Sequence, residues 1–297
     1  MNSKLEFICS NDDNESIPEK IREKLGLTFE DVNYDGYKMA LLSQNMKVFN
    51  KDTICRVPFS NTVEAESLGA GVKFSKDSVQ ARIGKYRIND IKDVYGLKEM
   101  DFETKSIAET IKAVRYLRGM GETVCIQVEG PFTIASQLMD STLFYKSLLK
   151  EKAAMEYLFE IIQAGILKYV ELAVSSGARV ISYADPAGTL DIVGPVMYKK
   201  FSGPVNCSIL KKITDKLKNA VIHICGRTSN SLEVGGFAEK HPVSFKAGQS
   251  YGEGLIEMIT SHPEIKLFGN GCIKRSPVNV SENIMWAVEI NKGDQYE

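Results

Sequence analysis

Thr123-Val124-Cys125-Ile126-Gln127-Val128 is a short apolar, β-branched run that stops at Glu129-Gly130-Pro131. A run of this length bounded by glycine and proline predicts a buried strand, and the proline suits the first turn of a following helix. The unit recurs. Arg179–Tyr183 ends at Ala184-Asp185-Pro186, and Ala220–Cys225 ends at Gly226. Pro242–Phe245 ends at Lys246-Ala247-Gly248, and Lys266–Phe268 ends at Gly269-Asn270-Gly271. Amphipathic stretches lie between these runs. The clearest covers 146–176, where Leu148, Met155, Leu158, Ile162, Ile166 and Val170 recur near helical spacing.

Strands alternating with helices predict an α/β fold with a parallel sheet. A closed barrel of eight strands needs about 250 residues. That is what remains after residue 52, and the expected architecture is a (β/α)8 TIM-type barrel over 53–297. An N-terminal helical arm over 1–52 precedes it, with helices near 18–25 and 35–48 and a start signal at Ser16-Ile17-Pro18-Glu19. An open doubly wound sheet is the alternative. No GxGxxG follows the first strand and no GxxxxGK[ST] occurs, so the usual nucleotide loops are missing.

The chain has 297 residues, 43% hydrophobic and 25% charged, a soluble globular mixture. Thirty-seven basic against 38 acidic residues leave no charge excess that would recruit nucleic acid. No apolar run approaches the ~18 residues of a membrane span. The opening MNSKLEFICSNDDNES lacks the apolar core of a signal peptide. The expectation is a cytoplasmic protein with no nucleic-acid or membrane partner. Its six cysteines, at 9, 55, 125, 207, 225 and 272, are too scattered for a disulfide scaffold. In a reducing compartment they are thiols or metal ligands.

Val221-Ile222-His223-Ile224-Cys225-Gly226 carries the chemistry. Residues i and i+2 of a strand share a face, so His223 and Cys225 project together at the carboxyl end, where barrel enzymes keep their active sites. Cys272 follows another strand end, after Gly269-Asn270-Gly271. One imidazole and two thiolates suit tetrahedral zinc and leave a fourth position open for substrate. The competing reading is packing, since buried cysteine behaves as a small hydrophobe. Spacing alone leaves both open.

His223-Ile224-Cys225-Gly226, with the later Gly271-Cys272 before Ser276-Pro277, resembles the zinc-dependent methylcobamide:thiol methyltransferases of the uroporphyrinogen decarboxylase-like barrels. Glu129-Gly130-Pro131-Phe132-Thr133-Ile134-Ala135-Ser136-Gln137-Leu138, Tyr183-Ala184-Asp185-Pro186 and Arg56-Val57-Pro58-Phe59 agree with it. The resemblance implies Zn²⁺ held by His223, Cys225 and Cys272. It also implies a corrinoid (methylcobalamin or cob(I)alamin) presented by a partner protein, and a small-molecule methyl acceptor or donor. A thiol acceptor is expected first. O-demethylation of a methyl ether or alcohol, a metal-free uroporphyrinogen-type decarboxylase, and a non-catalytic zinc- or corrinoid-binding module are the alternatives. The arginine-rich N-terminal motif of true decarboxylases is not found.

Strand-end position and resemblance together make Asp185 a candidate general acid/base, with helix or turn capping as the plain alternative. Tyr183 either donates to a substrate oxygen or belongs to the core. Glu129 and Gln137 are candidate substrate contacts, against surface pairing and ordinary helix capping.

Overall fold

The computed structural model describes residues 17–75, 78–280 and 282–291. Ser16 and Cys9 lie outside them. The arm forms helices α1 (Glu19–Leu25), α2 (Asp31–Tyr34) and α3 (Gly36–Asn50). Gly26 ends α1 in the left-handed region at φ 60°. Asp35 starts α3 by accepting the Tyr37 and Lys38 amides. Met39, Ala40, Leu42 and Met46 of α3 are buried in the same apolar core as the helices that follow. The arm therefore packs as part of the main body.

The chain continues through β1 (Ile54–Val57), α4 (Val63–Ser67), the hairpin β2 (Gly71–Ser75) and β3 (Ser78–Lys85), and α5 (Lys105–Gly119). Next come β4 (Thr123–Glu129), α6 (Pro131–Leu138), α7 (Ser141–Lys150) and α8 (Lys152–Ser176). The single amphipathic pattern expected over 146–176 is thus split, at Glu151. Then follow β5 (Val180–Ala184), the short α9 (Leu190–Val193) and α10 (Pro195–Met197), α11 (Gly203–Thr214), β6 (Val221–Cys225) and α12 (Gly226–Val234). The chain closes with β7 (Ala238–Ser244), α13 (Tyr251–Ser261), β8 (Leu267–Gly271) and β9 (Ile284–Ile290).

The barrel-type α/β fold is present, built on a mostly parallel sheet. Its order is β1-β4-β5-β6-β8-β9-β7. The strands β1, β4, β5, β6 and β8 are parallel. The count differs from the expected eight: among the described residues this sheet has seven strands. The run around Pro242 does not enter the parallel wall. It lies in β7, antiparallel to β9, while β6 pairs directly with β8. Proline cannot donate to a ladder, so an edge position suits it. Glu239, His241 and Pro242 are exposed, as an edge strand allows.

Alternation divides the wall into two faces. Val124, Ile126, Val128, Ile181, Tyr183, Ile222 and Ile224 pack outward into the helix layer. Ile54, Cys125, Val180, Val221 and Phe268 point inward and pack with Phe245, Tyr251, Leu255 and Met258. Helix α13 therefore fills the concave side. Its start is fixed by a reciprocal cap, in which Ser250 Oγ accepts the Glu253 amide and Glu253 accepts the Ser250 amide. Ser276 Oγ donates to Asp52 Oδ2 at 2.6 Å and ties this end of the chain to the start of β1.

Candidate active site at the carboxyl end of the sheet

His223 and Cys225 lie out of phase with Ile222 and Ile224, on the inner face. Cys225 is the register partner of Gly271 on β8, so Cys272 follows directly beside it. Both cysteines are half-buried and neither is in a disulfide. The two strand ends are therefore neighbours, without the 242–245 strand that the sequence order puts between them. Among the described residues no group of three His, Cys, Asp or Glu side chains could hold a metal ion.

His223 is fully buried. Burial holds its pKa down at about 4, so the ring is neutral. Its Nε2 is 2.9 Å from the Tyr251 hydroxyl, and its Nδ1 has no partner among the described residues. A neutral imidazole on β6, with one thiol at the end of the same strand and one just beyond β8, is a donor set whose chemistry suits zinc. Tyr251 was not legible as a site residue. The Ser250–Glu253 capping pattern marks a helix start there, and only tertiary contact brings its hydroxyl to His223.

Glu129 also faces inward, and its Oε2 is buried without a partner among the described residues. Its backbone N–H donates to Glu64 Oε1 of α4 at 2.9 Å, which sets two buried carboxyls side by side. Burial first, then the Glu64 and Asp185 charges, hold Glu129 well above the usual carboxylate range, and Lys274 works against them. Burial likewise raises Glu64 to about 7. Glu64 sits in the short helix α4 between Val63 and Ala65, and a charged residue in so short an element carries no periodic signal of burial.

These raised values have a definite sign. The folded state binds the proton more tightly than the unfolded chain. Stability from Glu64 is therefore full below the ordinary carboxylate range and is lost as pH rises through about 7. A shift of this size is worth roughly 3 kcal/mol. The stability difference between wild type and Glu64→Gln, from urea unfolding at pH 4 and pH 8, should change by about that amount, with wild type losing ground at pH 8. A pH-independent difference would remove Glu64 as the titrating group.

Asp185 and Tyr183 come together, but behind the wall. Tyr183 belongs to the outward core, and its hydroxyl donates to Asn206 Oδ1 at 2.6 Å. Asp185 is fully buried and accepts Thr133 N–H and Thr133 Oγ1–H, both at 2.8 Å, the Phe132 amide at 3.3 Å and Asn206 Nδ2 at 2.8 Å. It caps α6, which makes capping the role its contacts describe. Gly130 is required beside it, because a Cβ there would lie 2.3 Å from Asp185 Cβ. Tyr183 thus falls on the outward phase of β5, and Asp185 is held among Phe132, Thr133 and Asn206, near enough for its charge to act on Glu129. Gln137 donates from Nε2 to the Asn61 carbonyl at 3.0 Å, and its Oε1 is buried without a partner among the described residues.

A methylcobamide:CoM methyltransferase, MtbA of Methanosarcina mazei, is 28% identical over 219 residues, covering 71% of this chain and 63% of that protein. MtaA of Methanosarcina barkeri, another methylcobamide:CoM methyltransferase, is 26% identical over 72% of this chain and 63% of its own length. The chain thus spans about 63% of the length of the relatives it matches. A solved methyltransferase from Methanosarcina mazei shares the fold, with a TM-score of 0.63 and 23% identity over 73% of this chain and 64% of that one. The uroporphyrinogen decarboxylase (URO-D) family profile matches residues 14–236, so it includes most of the helical arm and ends after β6 and α12. With that profile running over well more than half its length, the chain belongs to the uroporphyrinogen decarboxylase (URO-D) family.

Proposed function

We propose that this protein is a methyltransferase that moves a methyl group between a corrinoid carried by a partner protein and a small thiol, with zinc held by His223, Cys225 and Cys272. The observation that carries the reading is the phase that puts His223 and Cys225 on one inner face at the end of β6, with Gly271 opposite Cys225 and Cys272 next after it. The named activity of MtbA and MtaA supports it. Bound there, zinc would hold the substrate sulfur as a thiolate.

The chain's own residues supply the rest. Burial keeps the His223 ring neutral, the form in which it can ligate. Glu129 presents an unpartnered carboxyl oxygen to the inner face, its pKa raised by burial, and can hydrogen-bond a polar substrate group. Gln137 Oε1 offers an acceptor for a substrate N–H or O–H. Asp185 and Tyr183 act as positioning residues, holding α6 and α11 against the wall. The scattered cysteines suit a reducing cytoplasm. No helix among the described residues is long and apolar enough to cross a membrane.

The test is anaerobic incubation with free methylcobalamin and a panel of thiols, followed by absorbance. Thiol-dependent loss of the methylcobalamin band, with growth of cob(I)alamin, is the expected result. No change with any thiol, in protein shown to contain zinc, would sink the thiol reading. The second arm, cob(I)alamin with methyl ethers and alcohols, then reads demethylation.

A further inference from the structure

We propose that Asn270 is a positioning residue: its left-handed backbone puts one extra residue into β8 and so seats Cys272 beside Cys225. The catalytic meaning of that thiol pair rests on the methyltransferase reading above. The geometry does not.

The register carries the inference. His223 lies opposite Phe268 and Cys225 opposite Gly271, so a step of two on β6 matches a step of three on β8. Such a bulge is rare between parallel strands, and bulges gather beside active sites, where they re-aim side chains. The irregular residue is Asn270, at φ 59°. Few residues other than glycine accept that conformation, and asparagine is one of them. Phe268 belongs to the inward core. A Cβ on Gly269 would meet Ser229 Cβ of α12 at 2.7 Å and Val288 Cγ2 of the outward core at 2.8 Å. Unbroken alternation would then turn residue 271 outward. Instead, a Cβ on Gly271 would lie 2.3 Å from the Tyr251 hydroxyl, on the inward side. The phase of β8 therefore reverses at Asn270.

The bulge is braced from two elements. The Asn270 N–H donates to Ser229 Oγ at 2.8 Å, and Ser229 is fully buried. Asn270 Oδ1 accepts from Lys240 Nζ of β7 at 2.9 Å. The Lys240 side chain is itself almost fully buried, and its Nζ pairs with Glu233 Oε2 of α12 at 2.6 Å. In a regular ladder Asn270 would oppose Cys225, and Cys272 would stand two residues further on, about 7 Å along the strand. With the bulge it stands one residue further on, about 3.3 Å. Burial first, and the Cys272 charge after it, hold the Tyr251 hydroxyl above its usual pKa, so Cys272 lies within reach of the ring that meets His223.

The experiment reads the thiol pair directly and without metal. The probe is phenylarsine oxide, whose arsenic exchanges its oxygen for two sulfurs when both are within reach. The thiol protons leave with that oxygen as water, and no oxidant is needed. The full chain carries Cys9→Ser, is stripped of metal with a chelator and is titrated in excess monothiol. This parent chain should hold the arsenical against the monothiol, and Cys225→Ser should not. Asn270→Val should weaken capture at least about tenfold, because a β-branched residue resists the left-handed region. Asn270→Asp accepts that region and keeps an acceptor for Lys240, and capture should stay within about twofold of the parent. Lys240→Met should weaken capture at least about threefold, through loss of a charge-assisted hydrogen bond. Parent-like capture by Asn270→Val overturns the proposal. Should that variant lose its cooperative unfolding transition, Lys240→Met decides, and parent-like capture there overturns the proposal equally. A parent chain that fails to capture has no thiol pair, and the proposal falls. Capture as expected, with no thiol-dependent loss of methylcobalamin, sinks the methyltransferase reading alone and leaves Asn270 its role.

Discussion

Asp185→Ala should cost the protein about 4 kcal/mol of stability. The side chain is fully buried and accepts from the Phe132 and Thr133 amides, Thr133 Oγ1 and Asn206 Nδ2. Removing it leaves those donors in a site that water does not reach, and opens a small cavity under α6. Each unsatisfied buried donor costs about 1–3 kcal/mol, and partial relaxation keeps the total below the sum. For a chain of this size about 4 kcal/mol lowers the melting temperature by roughly 10 °C. The size of that change separates the two readings of this residue. A proton-transfer group facing substrate could be replaced with large loss of rate and small loss of stability. Thermal unfolding of Asp185→Ala within a degree or two of wild type would contradict the capping role.

Cys225→Ser and Cys272→Ser should each lose the metal and lower methyl transfer by at least about 100-fold, while the fold survives. Both thiols sit half-buried at or just beyond a strand end, outside the two apolar cores, so exchange of sulfur for oxygen removes little packing. The protein as isolated should hold about one zinc per chain, and each variant close to none. Metal analysis and the methylcobalamin assay read the two halves of the prediction. Wild-type rates in either variant would return the cysteine to a packing role. Loss of zinc with retained rates would assign the metal to stability alone.

The parallel wall was legible because its strands carry their own punctuation. The runs at 123–128, 179–183, 220–225 and 266–268 each became a strand within a few residues of the expected bounds. Pairing partners are a different matter. Pro242–Phe245 reads like its neighbours, yet its direction and place depend on a strand more than forty residues later, and no local pattern encodes that. The shared face of His223 and Cys225 followed from period two. The contents of the opposite phase followed less well. Tyr183 and Asp185 precede a proline as an active-site pair would, and period two cannot say which phase faces the helices. Tyr251 and Glu64 were silent for the same reason, since their roles come from contacts across the fold.

The edge strand β7 also bears on the order in which the molecule assembles. Its ladder partner is β9, with Ala238 opposite Ile290 and Ser244 opposite Ile284. As the chain is made, β4, β5 and β6 can each add to the strand before them in the sheet. β7 emerges next and has to wait until β9 is synthesised. An unpaired strand in that interval invites adhesion to other chains. The sequence of β7 is poorly suited to such adhesion: Glu239, Lys240 and His241 precede Pro242, so charge and a missing donor interrupt the ladder that a stray strand would need. The same residues that make β7 a poor member of the parallel wall keep it soluble while it waits.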